Sequence, residues 1–373
     1  MIYSLIPYQL AVLGAGWAAA SLVLRASAEP RQKRPAAPQP FRLFVRTLLW
    51  QPLVYAAIAC VSVLVYLTVF PKLQVIFFGL GTIFWAGVLW VPARLAERTW
   101  HHRRAILLYP AVTFAIGIWS LFVEPYRLET TRHELAFEKI RPAAAPIRIA
   151  HVSDLQTSFF GPRERAVAPI VNGFGPDIVV CTGDYLVPGL KDDDQIASAR
   201  RVLRDFAPKA GFFAVDGDCE EESHRLELFE NVPGIRYLRN EAEKTTIRGT
   251  DVWVVGATRR NPDLEKAFAK VPSGAFTILL HHSPDVALLL GERKPDLVFA
   301  GHTHGGQVCV PGIGALVTLT ELPRRYASGL FRDFGTTMYV SRGIGLEGRF
   351  APQVRLFCRP EIALFDLVST RVD

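Results

Sequence analysis

The five cysteines of this chain, Cys60, Cys181, Cys219, Cys309 and Cys358, form no CxxC pair and no dense cluster. That spacing gives no disulfide framework and no zinc-finger module. An RNA-module signature and an internal repeat are also lacking. Four long apolar runs, at about 4–24, 48–70, 73–91 and 105–123, have no charge in their middle. Ionisable residues inside a span usually mark a transport path, so their absence argues against a transporter. The first run lacks a basic start and three more follow it, which argues against a cleaved signal peptide.

Half of the 373 residues are hydrophobic, with the excess concentrated before about residue 125. Each apolar run has roughly the 20 residues that cross a bilayer core. Trp17, Trp50, Trp90 and Trp119 stand in or near these runs, as interfacial aromatics do. Residues 1–124 are therefore expected to form a transmembrane region of about four helices. The net charge of +7 raises nucleic acid or anionic lipid as partners. Much of that charge lies in two short loops, however, and membrane orientation explains it without a nucleic acid. One loop carries Arg25, Arg31, Lys33, Arg34 and Arg42 against Glu29, and another carries Arg94, Arg98, Arg103 and Arg104 against Glu97. The positive-inside rule places both loops in the cytoplasm. The expectation is an integral protein of the cell (inner) membrane whose C-terminal domain lies on the extracytoplasmic side. The membrane half would serve as an anchor, or as a platform near lipid substrates.

From Pro142 to Pro146 the pattern changes, and residues 125–146 are read as a linker to a domain at 147–373. Apolar strands are expected at 147–152, 177–181, 212–215, 277–280 and 296–300, with helices near 163–172 and 195–206. Alternating strands and helices read as an α/β domain. Asp154, Asp184, Asp218, His282, His302 and His304 all fall at or just after a strand's C-terminal end. Ligands bind at that edge of α/β sheets. One strand-end Asp is often only a turn former or helix cap. Five strand ends presenting Asp or His are what a two-metal site requires, because carboxylates balance hard cations and imidazoles suit Zn, Fe and Mn.

Asp154-Leu155-Gln156, Gly183-Asp184, Gly217-Asp218-Cys219-Glu220, His282 and Gly301-His302-Thr303-His304 resemble the ordered motifs of calcineurin-like metallophosphoesterases: DxH, GD, GNH[D/E], H and GHxH. The match spans about 147–368. The run Gly301-His-Thr-His-Gly-Gly-Gln307 and the later Tyr339-Val-Ser-Arg-Gly-Ile-Gly345 are similar to the bacterial branch that is often membrane-attached or exported. The resemblance implies a four-layer α/β/β/α sandwich and hydrolysis of phosphate mono- or diesters by a metal-activated hydroxide. It implies two divalent ions, of Mn, Fe, Zn or Mg. Asp154, Gln156, Asp184 and His304 would hold one. Asp218, His282 and His302 would hold the other, with Asp184 bridging both. Asp184, Asp218 and His302 would also act at the catalytic step. The expected partners are a phosphoester substrate, with an envelope lipid or a cell-wall or nucleotide conjugate as candidates, and the membrane.

Two positions depart from the family pattern. Gln156 replaces the DxH histidine, and an amide oxygen is a weaker ligand for Zn or Fe than imidazole. Cys219 replaces the histidine that assists at the phosphate, and a thiol with a pKa near 8.5 is a weak substitute. Glu220, Asp216 and His281 are the candidates to compensate. These departures motivate the alternative reading, a degenerate module that binds metal or phosphoester without efficient turnover. Arg342, in a Ser-Arg-Gly turn, is read either as a phosphate contact or as a structural turn residue.

Overall fold

Ile178–Cys181 reads Ile-Val-Val-Cys, and all four side chains are buried. A strand buried on both faces needs a layer on each side, and the remaining elements supply them. The computed structural model describes residues 112, 115–187, 193–220, 227–347 and 353–370. Packing divides the chain into Met1–Ala115 and Ile116–Asp373, and the second unit is the one described below. The four apolar runs lie outside the described residues, apart from the end of the fourth. Among the described residues no helix is long and apolar enough to cross a membrane.

The chain runs through β1 (Glu129–Phe137), β2 (Ile147–Val152), α1 (Pro162–Phe174), β3 (Ile178–Cys181), α2 (Asp193–Arg204), β4 (Gly211–Ala214), β5 (Ile235–Tyr237), β6 (Glu241–Ile247) and β7 (Thr250–Gly256). It continues through α3 (Leu264–Phe268), β8 (Phe276–Leu280), β9 (Leu297–Ala300), β10 (Cys309–Val310), β11 (Gly314–Ala315), β12 (Gly329–Phe331), β13 (Thr337–Val340) and β14 (Glu361–Ser369). One six-stranded sheet has the order β1-β14-β2-β3-β4-β5, and the other β12-β13-β9-β8-β7-β6. Neighbours β2, β3 and β4 are parallel, as are β7, β8 and β9. Their carboxyl ends therefore fall at one edge of each sheet. The strands and helices expected around the motifs lie within a few residues of these limits.

Alternation along each strand sorts the core into three layers. Ile149, Ile178, Val180 and Phe213 of the first sheet meet Phe276, Ile278, Leu297 and Phe299 of the second. The other face of the first sheet, with Val152, Val179 and Cys181, packs on Val167 and Val171 of α1 and on Ile196, Ala199 and Leu203 of α2. The outer face of the second sheet, with Leu279, Val298 and Met338, packs on Leu264 and Ala267 of α3 and on Val286 and Leu290. This is the expected α/β/β/α sandwich.

Residues 125–146, read above as a linker, contribute the edge strand β1, which runs parallel to β14. Its sequence, Glu-Thr-Thr-Arg-His-Glu-Leu-Ala-Phe, alternates half-buried and exposed positions along most of its length. Only its last three residues are apolar, so the period-2 signal of a strand is nearly silent. Its partner lies more than 200 residues away.

The turn arginine also resolves. The Arg342 guanidinium donates to Glu129 Oε2 and Glu361 Oε1, each at 3.0 Å, and its backbone N–H donates to Glu361 Oε2 at 3.0 Å. Thr131 Oγ1 and Tyr339 Oη donate to Glu361 as well, both at 2.8 Å. The structural reading holds: Arg342 clasps the end of β13 in one sheet to β1 and β14 in the other. Burial alone would raise the Glu361 carboxyl. Arg342 and the bonds it accepts instead hold it below its ordinary 4.5. A depressed carboxylate stabilises the fold above its unfolded pKa and loses that contribution as pH falls through the folded one. Glu361→Gln is expected to cost about 3 kcal/mol at neutral pH in urea unfolding, because it leaves Arg342 half-buried and less well paired. The penalty should shrink as pH falls below 4.5, and a penalty independent of pH would refute the ion-pair account.

Candidate metal centre

Each motif residue leaves the carboxyl end of a strand. Asp154 follows β2, Asp184 follows β3 and Asp218 follows β4, while His282 follows β8 and His302 and His304 follow β9. The backbone there is not ordinary loop. Asp154, Gln156, Asp184, His302 and His304 have φ of 50°, 36°, 52°, 70° and 51°. A non-glycine residue in that left-handed region costs about 1 kcal/mol or more. Five such residues at one place are maintained only where the surroundings over-determine them. Glycines permit the approach. A Cβ on Gly217 would meet the carboxylate and N–H of Asp184, and one on Gly301 would meet Ser153 Oγ and the Asp154 carboxylate.

The residues converge as two groups. Asp154, Asp184 and His304 form one and Asp218, His282 and His302 the other, with the ligand-type atoms of each group within 4.8 Å of one another. In the first, His304 Nε2 lies 3.4 Å from Asp154 Oδ1. In the second, His302 Nδ1 lies 3.1 Å from Asp218 Oδ2 and 3.2 Å from His282 Nε2. Asp184 joins the groups: its Oδ2 is 3.4 Å from His282 Nε2. All seven residues expected from the sequence are thus brought together, Gln156 through its backbone N–H, which donates to Asp184 O at 2.9 Å.

The residues' chemistry fits cations. Gln156 Oε1, an acceptor, and the ring nitrogen His304 Nε2 are both buried with no hydrogen-bond partner among the described residues. The Gln156 amide nitrogen donates to Glu347 Oε2 at 3.2 Å and lies 3.9 Å from Cys219 Sγ. An amide held by its nitrogen leaves its oxygen for a ligand. His282 Nδ1 lies 2.7 Å from Thr182 O, a carbonyl that can only accept. Nδ1 therefore carries the proton, and Nε2 is the atom turned toward Asp184, Asp218 and His302.

The charges are mutually dependent. Burial first raises the Asp154 carboxyl to about 6, against the pull of His282. Burial would raise Asp184 too, but the His282 imidazolium and the bonds from His282 and Cys219 hold it well below the usual carboxylate range. Asp218 is held at about 2 against its burial, by its bond with His302 and by the charge on His282. His282 is raised to about 10, because Asp184, then Asp154 and Asp218, outweigh its burial. Burial and the Arg355 guanidinium push His304 well below its ordinary value and keep it neutral, which is the ligating form.

The three candidate substitutes for the missing histidine are engaged elsewhere. Glu220 accepts the backbone N–H of Gly217, Asp184, Tyr185 and Leu186 at 2.7–3.2 Å, which pins the Asp184 loop. Asp216 accepts Arg259 N–H at 3.0 Å. His281 is buried with Nδ1 2.8 Å from Ser283 O, and burial lowers its pKa to about 4. Burial, then Asp184 and Glu220, push the Cys219 thiol far up.

Four supporting residues went unread in the sequence. Glu347 orients Gln156, and Arg259 lies 3.1 Å from Asp218. Arg355 is fully buried and donates to the carbonyls of Gly345, Arg342 and Cys358, at 2.8–3.2 Å. His151 Nε2 is 2.8 Å from Thr182 Oγ1, which donates to Ser153 Oγ, which in turn donates to Asp154. Only the last chain had a signal, the polar His151 and Ser153 at the buried end of a mostly apolar strand.

The family model described as calcineurin-like phosphoesterase matches residues 147–306. A phosphodiesterase of Escherichia coli, YaeI, is 31% identical over 71% of this chain and 99% of its own length. The chain belongs to the calcineurin-like phosphoesterase family. It is a hydrolase of phosphoric ester bonds. The phosphoesterase is also 27% identical to an uncharacterized metallophosphoesterase of Bacillus subtilis, YkuE, over 68% of this chain and 90% of that protein. A zebrafish transmembrane protein with a metallophosphoesterase domain is 27% identical over 66% of this chain and 59% of its own length.

The Glu347 contact makes a prediction about the phosphoesterase. Glu347→Ala should weaken Mn²⁺ binding about tenfold by calorimetry, the usual effect of removing a ligand's support. In a Gln156→His background the same change should have little effect, since no amide remains to be oriented. Equal losses in both backgrounds would show that Glu347 does not act through Gln156.

Proposed function

We propose that this phosphoesterase is a membrane-anchored enzyme that uses two divalent cations, of Mn, Fe, Zn or Mg, to hydrolyse a phosphate mono- or diester in the cell envelope. A lipid and a cell-wall or nucleotide conjugate are the substrate classes considered, and the domain works on the extracytoplasmic side. The observation that carries this reading is the pair of adjacent donor sets, Asp154-Asp184-His304 and Asp218-His282-His302, meeting at Asp184 and His282. The name phosphodiesterase borne by the E. coli relative supports the diester, and the transmembrane zebrafish relative supports the anchor.

Asp154, Gln156, Asp184 and His304 would hold one cation and Asp218, His282 and His302 the other. When bound, such a pair supplies two Lewis acids and a hydroxide nucleophile at neutral pH. The residues do the rest. Thr182 O fixes the His282 ring so that Nε2 faces the centre. The N–H of Cys219, at 3.0 Å from Asp184 Oδ1, fixes that carboxylate. Position 219 offers no imidazole to protonate a leaving group, and its thiol holds its proton tightly. A general acid is typically worth about 10²–10⁴-fold, so esters with good leaving groups are the favoured substrates.

A second reading, a metal-binding module without efficient turnover, rests on Cys219 and Gln156. The full chain in detergent with Mn²⁺ and bis(p-nitrophenyl) phosphate separates the two. Turnover is expected, with at least a thousandfold loss in Asp184→Asn and complete loss on chelation, restored by Mn²⁺. Metal uptake without turnover, for each of the four cations, would favour the binding module. Cys219→His should raise the rate on a phenyl ester more than on a nitrophenyl ester, and an equal change on both would rule out a leaving-group role at 219.

A further inference from the structure

The strand pair β10–β11 follows directly on the His304 loop and carries large apolar side chains into solvent. Ile313 is 59% exposed, Leu316 52%, Val317 59% and Leu319 51%. Clustered exposed apolar residues mark a surface that is covered in use. The hairpin is firmly attached. Leu316 N–H donates to Val308 O at 3.1 Å, Cys309 N–H to Leu356 O at 2.9 Å and Leu356 N–H to Gln307 O at 2.9 Å. The next residue, Phe357, is 62% exposed on backbone at φ 53°, a strained conformation for an aromatic. On its other side Arg355 N–H donates to Ser120 O at 3.0 Å. Ser120 lies in the wide, π-type helical turn Trp119–Val123, beside the exposed Ile116, Trp119 and Phe122.

Three segments far apart in sequence, 116–123, 355–357 and 308–319, are therefore hydrogen-bonded in series, and each exposes apolar side chains. Arg355, which joins them, also places its guanidinium 3.5 Å from His304 Nδ1 in the metal centre. The segment 116–123 is the end of the fourth uncharged apolar run, 105–123. Ser120 lies only three residues from the end of that run. Three extended residues reach about 10 Å at most, so the chain has no length with which to hold this surface away from the place where the run ends.

We propose that this surface, formed by 116–123, 355–357 and the β10–β11 hairpin, docks on the lipid bilayer and presents the metal centre to the phosphate of a membrane lipid. The proposal rests on the membrane-anchored phosphoesterase reading above. An apolar face at the interface is buried about 5–10 Å into the boundary between headgroups and acyl chains, with tryptophan at headgroup depth. A centre one loop away from that face lies at the level of lipid phosphates. A water-soluble ester would need no such surface beside the site.

The test uses the full chain reconstituted in vesicles of phosphatidylcholine and phosphatidylglycerol, with p-benzoylphenylalanine placed at Val317. Irradiation is expected to give a phospholipid adduct. A cross-link to residues 1–114, a cross-link to a second copy, or no adduct would overturn the proposal. In parallel, the double variant Ile313→Asp with Leu316→Asp is assayed on two diesters. It should lose at least about tenfold on vesicle-embedded hexadecyl p-nitrophenyl phosphate and keep its rate on soluble bis(p-nitrophenyl) phosphate. An equal effect on both diesters would sink the lipid assignment. Failure of the enzyme reading is separate: it would appear as no turnover of either diester while the lipid adduct still forms.

Discussion

The centre depends on one hydrogen-bonded contact between the two sheets. The Asp154 carboxylate, at the end of β2 in one sheet, accepts the backbone N–H of His302, at the end of β9 in the other, at 3.0 and 3.1 Å. Without it the donors of each set would be divided between separate sheet edges. The contact is close enough that residues 301 and 343 must lack side chains, since a Cβ at either would strike Asp154 or its neighbour. The bond from His282 Nδ1 to Thr182 O does the same for β8 and β3. Together they draw four strand ends onto one point.

That convergence has an electrostatic and a conformational cost. Asp154, Asp184, His282 and His304 are all buried, and several sit on left-handed backbone. Burying charge is costly unless it is paired. Here the pairing is partial, since Gln156 Oε1 and His304 Nε2 are buried without a hydrogen-bond partner among the described residues. A cation suits such a set and a further hydrogen-bond donor would only half satisfy it. Arg355 supplies a fixed positive charge from behind, anchored on backbone carbonyls, and so holds the loops without competing for the inward-facing atoms.

The departures from the family pattern gain a physical meaning in this setting. Gln156 is positioned as a ligand would be, with its nitrogen held by Glu347. Cys219 contributes its backbone N–H to Asp184, while its thiol is a poor acid. The first substitution is accommodated by a neighbour and the second is not. The proximity of Arg355 to both His304 and Ser120 further links the centre to the end of the fourth apolar run.

The strand–motif order was legible because each β-strand around the site is short, apolar and buried, and ends in an Asp or His that has no place in a core. Strand β1 was not, because an edge strand paired to a distant partner alternates charged and polar residues. Arg342 in a turn, Glu347 in a glycine-rich loop and the fully buried Arg355 carry no local sign of their partners, which are contributed by other strands and loops. From the residue pattern alone follow the α/β class, the resemblance to the family and seven candidates for the centre, because burial period and short motifs are local properties. The tertiary structure alone decided which donors share a group, which atom each presents, that Arg342 is a clasp and that the β10–β11 hairpin lies beside the end of the apolar run. Those are outcomes of hydrogen bonds between segments that meet only when the two sheets pack.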